Sequence, residues 1–400
     1  MQKLEFPKGF LWGSATSAHQ VEGNNSNSDW WQWENSPERI AFLKSKNKNV
    51  DDYLSADACD SYNHYEEDFT LAESLHQNSH RLSIEWARIE PKEGFFDEQE
   101  VKHYIKVLRS ATHHKLKIFL TIHHFTSPKW FAEKGGFEHR SNIRYFLRYV
   151  QFIVSKLDNY VDFWITINEP ESFAQSYLWG NWPPQRKNVY LTLKVLNNLI
   201  TAHNQSSAII RKTSNKPIGM AYNLVDFTPV SFWSSILTTQ IFRFINFYVM
   251  RRTIKTCDFV GVNYYFHFKV GLLGRIVAKA ARKSDTGFQI YPKGFENVLL
   301  YLKRYNKPIY ITENGVADSS DTQRQKFIHD HIFFMHKAIS KGVDIRGYLH
   351  WSLIDNFEWA EGFTLKFGLI SVDRNNGLRR TVKQSARAYA EICRDNHLFS

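Results

Sequence analysis

Two glutamates stand where an ionised group is hard to place. Glu169 follows the apolar run FWITIN, and Glu313 follows PIYIT. A carboxylate at the end of such a run is costly unless it is paired or used. Each is followed by turn-shaping residues, Pro170 in one case and Asn314-Gly315 in the other. Two carboxylates brought face to face suit acid/base and nucleophilic chemistry at an acetal carbon: one is protonated to donate to the leaving oxygen, the other ionised to attack. Different surroundings separate their pKa values. A lone glutamate of this kind reads as a solvated loop residue. Two of them point to a site, because other apolar runs also end in polar and aromatic residues. Gln20 and Glu22 follow the first run, Arg81 and Glu85 lie in the second, and His123-His124 end the third. Asn168 precedes Glu169, Asn263-Tyr264-Tyr265 end the sixth run, and Trp351 ends the last, with Asp355, Glu358 and Trp359 just beyond.

Residues so far apart in sequence need a framework to gather them. Short apolar runs at 10–16, 78–86, 117–124, 162–168, 217–223, 258–264, 308–312 and 345–351 read as strands buried on both faces. Between them, 101–113, 142–157, 191–211, 232–254, 295–305 and 322–340 show apolar residues at three- and four-residue spacing, and 382–394 closes the chain the same way. Eight strands alternating with helices predict a single (β/α)8 TIM barrel domain over 1–400, compact and with shortened loops. A doubly wound sheet would want a glycine-rich phosphate turn after its first strand, and GSATSAHQVEG is not GxGxxG. In a barrel the C-terminal strand ends carry the chemistry, which is where the polar residues fall.

Composition removes other classes. The 400 residues are 43% hydrophobic and 16% aromatic, too rich for a disordered chain. Cys59, Cys257 and Cys393 are widely spaced and form neither a disulfide framework nor a zinc pattern. The histidine pairs 113-114, 123-124 and 329/331 lack HExxH spacing, so no metal is expected. Trp30, Trp31 and Trp33 read as packing under the first loop, at the rim of a pocket. The opening segment is broken by Pro7, Lys8 and Gly9 before any export-type apolar core, so a cytoplasmic setting is expected. The most apolar stretch, 230–250, is interrupted by Arg243 and followed by Arg251, Arg252 and Lys255. It reads as an outer barrel helix rather than a membrane-surface helix. The net charge of +11 raises nucleic acid or an anionic membrane as partners. The basic residues are scattered rather than striped and no nucleic-acid-binding motif is present, so no nucleic-acid partner is expected.

The segments FPKGFLWGSATSAHQVEG, SDWWQWE, HRLSIEWARIEP, TIHHFTSPKWF, TINEP, DFVGVNYY, YITENG and GYLHWSLIDNFEWAEGF closely resemble glycoside hydrolase family 1, the β-glucosidase family. They occur in the family's order and span nearly the whole chain. The resemblance implies a retaining β-glycosidase acting on β-glucosides, and on β-galactosides or β-fucosides, with no cofactor. Glu169 matches the family's general acid/base and Glu313 its nucleophile. Arg81 and Tyr265 match residues that hold the nucleophile. Gln20, His124, Asn168, Trp351, Glu358 and Trp359 match the positions that grip the non-reducing sugar. The implied partner is a small β-glycoside or oligosaccharide; oligomeric state is not implied.

The chain departs from the family in being short. The deficit falls between the fifth and sixth strands, where 223–258 replaces a longer segment, and NGVADSSDTQRQ after Glu313 is also brief. Shorter loops would open the leaving-group side and leave apolar surface bare near 232–250, inviting a partner, self-association or a lipid-like aglycone. A 6-phospho-β-glycosidase would replace Glu358-Trp359 and add a phosphate clamp; here both are intact and Phe367 lacks a hydroxyl. A transglycosidase would use the same covalent intermediate. A sugar-binding protein without activity would be expected to have lost one of the two glutamates.

Overall fold

A computed structural model describes residues 2–271, 274–276 and 282–400. Eight parallel strands close into a barrel: β1 (Leu11–Ala15), β2 (Ser79–Ser83), β3 (Lys117–His123), β4 (Phe163–Asn168), β5 (Ile218–Asn223), β6 (Phe259–Tyr264), β7 (Ile309–Asn314) and β8 (Ile345–Trp351). They follow one another around the barrel in chain order, and β8 closes on β1 with Gly347 opposite Leu11. Their apolar sequences are explained by burial on both faces: β5, β6 and β7 are buried throughout. The interior behind the strand ends is packed rather than hollow. Phe119 stacks on Phe163 at 4.1 Å between ring centres, and Phe259 meets Tyr310 edge-on at 5.4 Å. Ala15, Ile165, Ala221 and Leu349 fill the remaining space.

Outer helices cover the barrel with amphipathic faces. Ile143–Leu157 buries Ile143, Phe146, Val150, Ile153, Val154 and Leu157, a three-and-four spacing that makes one stripe. Glu98–His113 begins where the Asp97 carboxylate accepts from the Gln99 and Glu100 N–H groups, satisfying donors a helix start leaves free. Val189–Ile210, Pro292–Leu302, Arg324–Ser340 and Gln384–Asp395 complete the expected set within a few residues.

Several expectations need correction. Helix Ser61–Ser74, between β1 and β2, was not anticipated; it buries only Asp68, Phe69 and Ala72, too few apolar positions to show a period. The strand expected over 78–86 stops at Ser83, and a short helix, Trp86–Ile89, follows with Glu85 at its cap. β7 extends to Asn314, so Glu313 lies in the strand rather than after it. The helix expected over 232–254 is three successive pieces, Phe232–Ser234, Ser235–Phe247 and Met250–Thr253, joined by Tyr248 and Val249 in right-handed helical conformation.

Among the described residues three small sheets flank the barrel, one of them the antiparallel pair Ile370–Asp373 and Arg379–Val382. Lys3–Glu5 pairs with His397–Phe399, bringing the two ends of the chain together. Beyond β5 and β6, strand Asp226–Pro229 pairs in parallel with His267–Gly271, which pairs with Gly274–Ile276. No helix among the described residues is long and apolar enough to cross a membrane.

Candidate active site

Glu313 projects from the end of β7 into a ring of donors. Arg81 on β2 is fully buried and directs Nη1 at Glu313 Oε1. Tyr265, one residue beyond β6, donates its hydroxyl to Glu313 Oε2 at 2.7 Å. The guanidinium is itself fixed, with Nε donating to Thr121 Oγ1 at 3.0 Å and Nη2 to Asn168 Oδ1 at 2.6 Å. Its partner is thus Glu313 and not the nearby Glu85, whose carboxylate takes the Thr126 hydroxyl at 2.9 Å. Gly315 lets β7 and β8 approach here: a Cβ on it would lie 1.9 Å from the Trp351 carbonyl oxygen.

Glu169 sits at the other side of this network. It is a non-glycine residue with φ of 41°, in the left-handed region, a conformation that costs roughly 1 kcal/mol or more. It is held there by its N–H donating to the Ala221 carbonyl at 2.8 Å and by helix Pro170–Leu178 starting at the next residue. Asn263 on β6 donates Nδ2 to Glu169 Oε1 at 2.6 Å and to Asn168 Oδ1 at 3.2 Å. Thr312 fixes that amide by donating to Asn263 Oδ1 at 2.7 Å.

The two carboxyl groups differ electrostatically. Burial, and then the charge of Glu313, pushes Glu169 up to about 7, against hydrogen bonds from Ser172 and Asn263. Burial also raises Glu313, but the Arg81 charge and hydrogen bonds from Tyr265, Arg81 and Asn263 pull it back. Glu169 therefore holds its proton near neutrality with no cation directly bound to it, while Glu313 has a guanidinium that favours its charged form. Such a pair can protonate a leaving oxygen and attack a carbon.

The pair opens on a cavity of about 810 Å³. His124, Asn168, Trp351, Glu358 and Trp359 line it with Tyr265 and the two glutamates, while Gln20 and Arg81 are buried. Asn168 donates Nδ2 to His124 Nε2 at 3.1 Å. Gln20, on the short helix Ala18–Val21, is aimed by Ser17 at 2.7 Å and reaches Glu358 Oε2 at 3.4 Å. Burial, then the charge of Glu313, pushes Glu358 up to about 8. The rings of His124 and Trp359 lie nearly parallel, 5.9 Å apart. The catalytic and sugar-binding candidates read from sequence are thus drawn to one end of the barrel. Asn263 is an addition: an amide inside the apolar run FVGVNYY was visible, but its reach to Glu169 was not. Trp30 also lines the cavity, and Trp179, Trp182, Phe266 and Phe288 form its outer part. Glu22 and Asp355 serve elsewhere, Glu22 accepting from Arg88 at 2.9 Å and Asp355 from Lys383 at 2.7 Å.

The chain matches the sequence profile of glycosyl hydrolase family 1 over residues 2–249 and 244–398. It is 30% identical to β-glucosidase A of Thermotoga maritima, covering 100% of both chains. That alignment runs over 454 positions against 400 residues here, so the relative carries stretches this chain lacks. The two profile matches meet at 244–249, within the shortened segment between β5 and β6. Among solved structures, the fold is similar to the β-glycosidase from Pyrococcus horikoshii, with a TM-score of 0.90, 33% identity and coverage of 100% of this chain and 97% of that one. It is also similar to the family 1 β-glucosidase from Thermotoga maritima in complex with isofagomine lactam, with a TM-score of 0.92, 29% identity and coverage of 99% and 100%. The chain belongs to glycosyl hydrolase family 1 and is a retaining β-glycosidase.

Proposed function

We propose that this family 1 β-glycosidase uses Glu313 as nucleophile and Glu169 as acid/base. Glu313 attacks the anomeric carbon and forms a glycosyl ester as Glu169 passes its proton to the departing aglycone oxygen. Glu169, now ionised, takes a proton from water; the water oxygen attacks the same carbon and releases Glu313. Two inversions leave the β configuration unchanged. The observation that carries this reading is the asymmetry of partners. Glu313 has Arg81 and Tyr265, whereas Glu169 has an amide donor and is pushed up to about 7.

The substrate is a small sugar glycoside; the similar family 1 β-glucosidase from Thermotoga maritima was solved in complex with isofagomine lactam. Gln20 and Glu358 take adjacent hydroxyls, Asn168 and His124 take those nearer the reacting carbon, and Trp351 and Trp359 supply apolar faces. Non-reducing terminal β-D-glucosyl groups are the first choice, with β-D-galactosyl and β-D-fucosyl groups next. The aromatic outer cavity favours apolar or aryl leaving groups.

The test is turnover of aryl β-D-glycosides. Glu313→Gly should abolish hydrolysis, with azide giving the inverted α-glycosyl azide. Glu169→Ala should keep the first step for good leaving groups, with azide giving the β-product. Wild-type turnover by either variant refutes the roles.

A further inference from the structure

The segment between β5 and β6 turns apolar side chains outward. Strand Asp226–Pro229 leaves the mouth of the barrel and ends in a turn where Phe232 is 82% and Trp233 77% exposed. Helix Ser235–Phe247 then buries Asn246 and Phe247 but leaves Ile236 74% and Phe244 54% exposed. Trp233, Ile236, Gln240 and Phe244 are three or four residues apart, one outer stripe of a helix. The exposed Arg243, Arg251 and Arg252 flank this stripe, Arg251 lying against Tyr301 and Tyr305. From Phe227 to Cys257 the sequence contains no aspartate or glutamate. Among the described residues, no carboxylate pairs with Arg243, Arg251 or Arg252.

We propose that this face docks on an anionic lipid bilayer. Phe232, Trp233, Ile236 and Phe244 enter the headgroup boundary, and Arg243, Arg251 and Arg252 meet lipid phosphates. An apolar stripe flanked by basic residues with no acids is the composition of an interfacial helix, and exposed tryptophan favours the same depth. The chain's net charge of +11 acts in the same direction. A second copy fits this face less well, because a two-fold contact would set its arginines against their own copies. Nucleic acid also fits less well: Val230, Ile236 and Ile245, all exposed, offer nothing to a phosphate or a base. Docking adds a location for the reaction and leaves its chemistry untouched, so it is independent of the roles given to Glu169 and Glu313.

The full chain is sedimented at low salt with vesicles of phosphatidylcholine alone or mixed equally with phosphatidylglycerol. Binding to the mixed vesicles, weakened by added salt and by omission of phosphatidylglycerol, is expected. Phe232→Ser/Trp233→Ser and Arg243→Glu/Arg251→Glu should each lower it at least about tenfold. Turnover of a soluble aryl β-glucoside should be unchanged in both variants, which reports an intact fold. Equal sedimentation with and without vesicles, or variants that bind like wild type, overturns the proposal. A wild-type dimer dissolved by the same substitutions, or salt-sensitive DNA binding without vesicle binding, overturns it as well and assigns the face to that other occupant.

Discussion

The inner end of the cavity and the segment between β5 and β6 break the same rule in opposite directions. At the inner end Arg81, Asn168, Asn263 and Glu313 are buried and linked in one hydrogen-bonded chain. In the segment, Phe232, Trp233 and Ile236 are aromatic or aliphatic and face outward. Buried charge and exposed apolar area are both unfavourable in an isolated molecule. The first inversion is compensated internally by hydrogen bonds. Among the described residues nothing compensates the second, which makes it the place to look for an external partner. Departures from inside-apolar, outside-polar patterning mark where a molecule meets something else, and their internal compensation separates a site for chemistry from a surface for contact.

The largest effect should come from the inner network. Arg81→Met removes the cation beside Glu313 and the donors to Thr121 and Asn168. kcat/KM on an aryl β-glucoside should fall about a thousandfold. Near-wild-type rates would mean that the buried charges are scaffolding only. Glu358→Gln should lower kcat/KM about a hundredfold by weakening the grip on the sugar hydroxyls, while stabilising the fold in alkaline solution. The Glu358 carboxyl rises from 4.5 to about 8 on folding, so the native state binds the extra proton. Its contribution to stability is full below about 4.5 and is lost as pH rises through about 8. The Tm of the variant should match wild type near pH 4.5 and exceed it by a few degrees near pH 8. A difference that shrinks with pH would reverse the assignment.

Asn263→Ala should cost about tenfold in rate. Its diagnostic is the pH profile. The amide favours ionised Glu169 and ionised Glu313, so its removal should move both the acid and the alkaline limbs of kcat/KM to higher pH. Fixed limbs would exclude it from the network. The smallest effect belongs to the outer region: Trp233→Ser alone should change turnover of a soluble substrate by less than about twofold. A larger loss would mean that the exposed turn belongs to the cavity and the contrast between the regions is false.

The barrel was legible because its strands are buried on both faces, so each is an unbroken apolar run such as FWITIN or PIYIT. The two glutamates stood out against those runs for the same reason. Ser61–Ser74 was not legible, because a helix that buries Asp68 with Phe69 and Ala72 shows little period. Asn263 was visible as an amide in an apolar strand, but its contact with Glu169 depends on the registers of β4 and β6 against β5 between them, which no local pattern records. The exposed face is a related case. Val230 to Met250 reads as a helix to be covered, and only the missing length of chain hinted that it is left bare.

Arg81 has one more consequence. From β2 it reaches Thr121 on β3, Asn168 on β4, and Glu313 and the Thr312 carbonyl on β7. Its last partners are supplied more than two hundred residues after the arginine itself. A chain folding from its first strand would carry this guanidinium without its carboxylate until the seventh arrives. The arginine thus acts as a latch whose keeper is made late. Half-barrels that bury it early are penalised, and the seam between the two halves is fastened at the place where the reaction occurs.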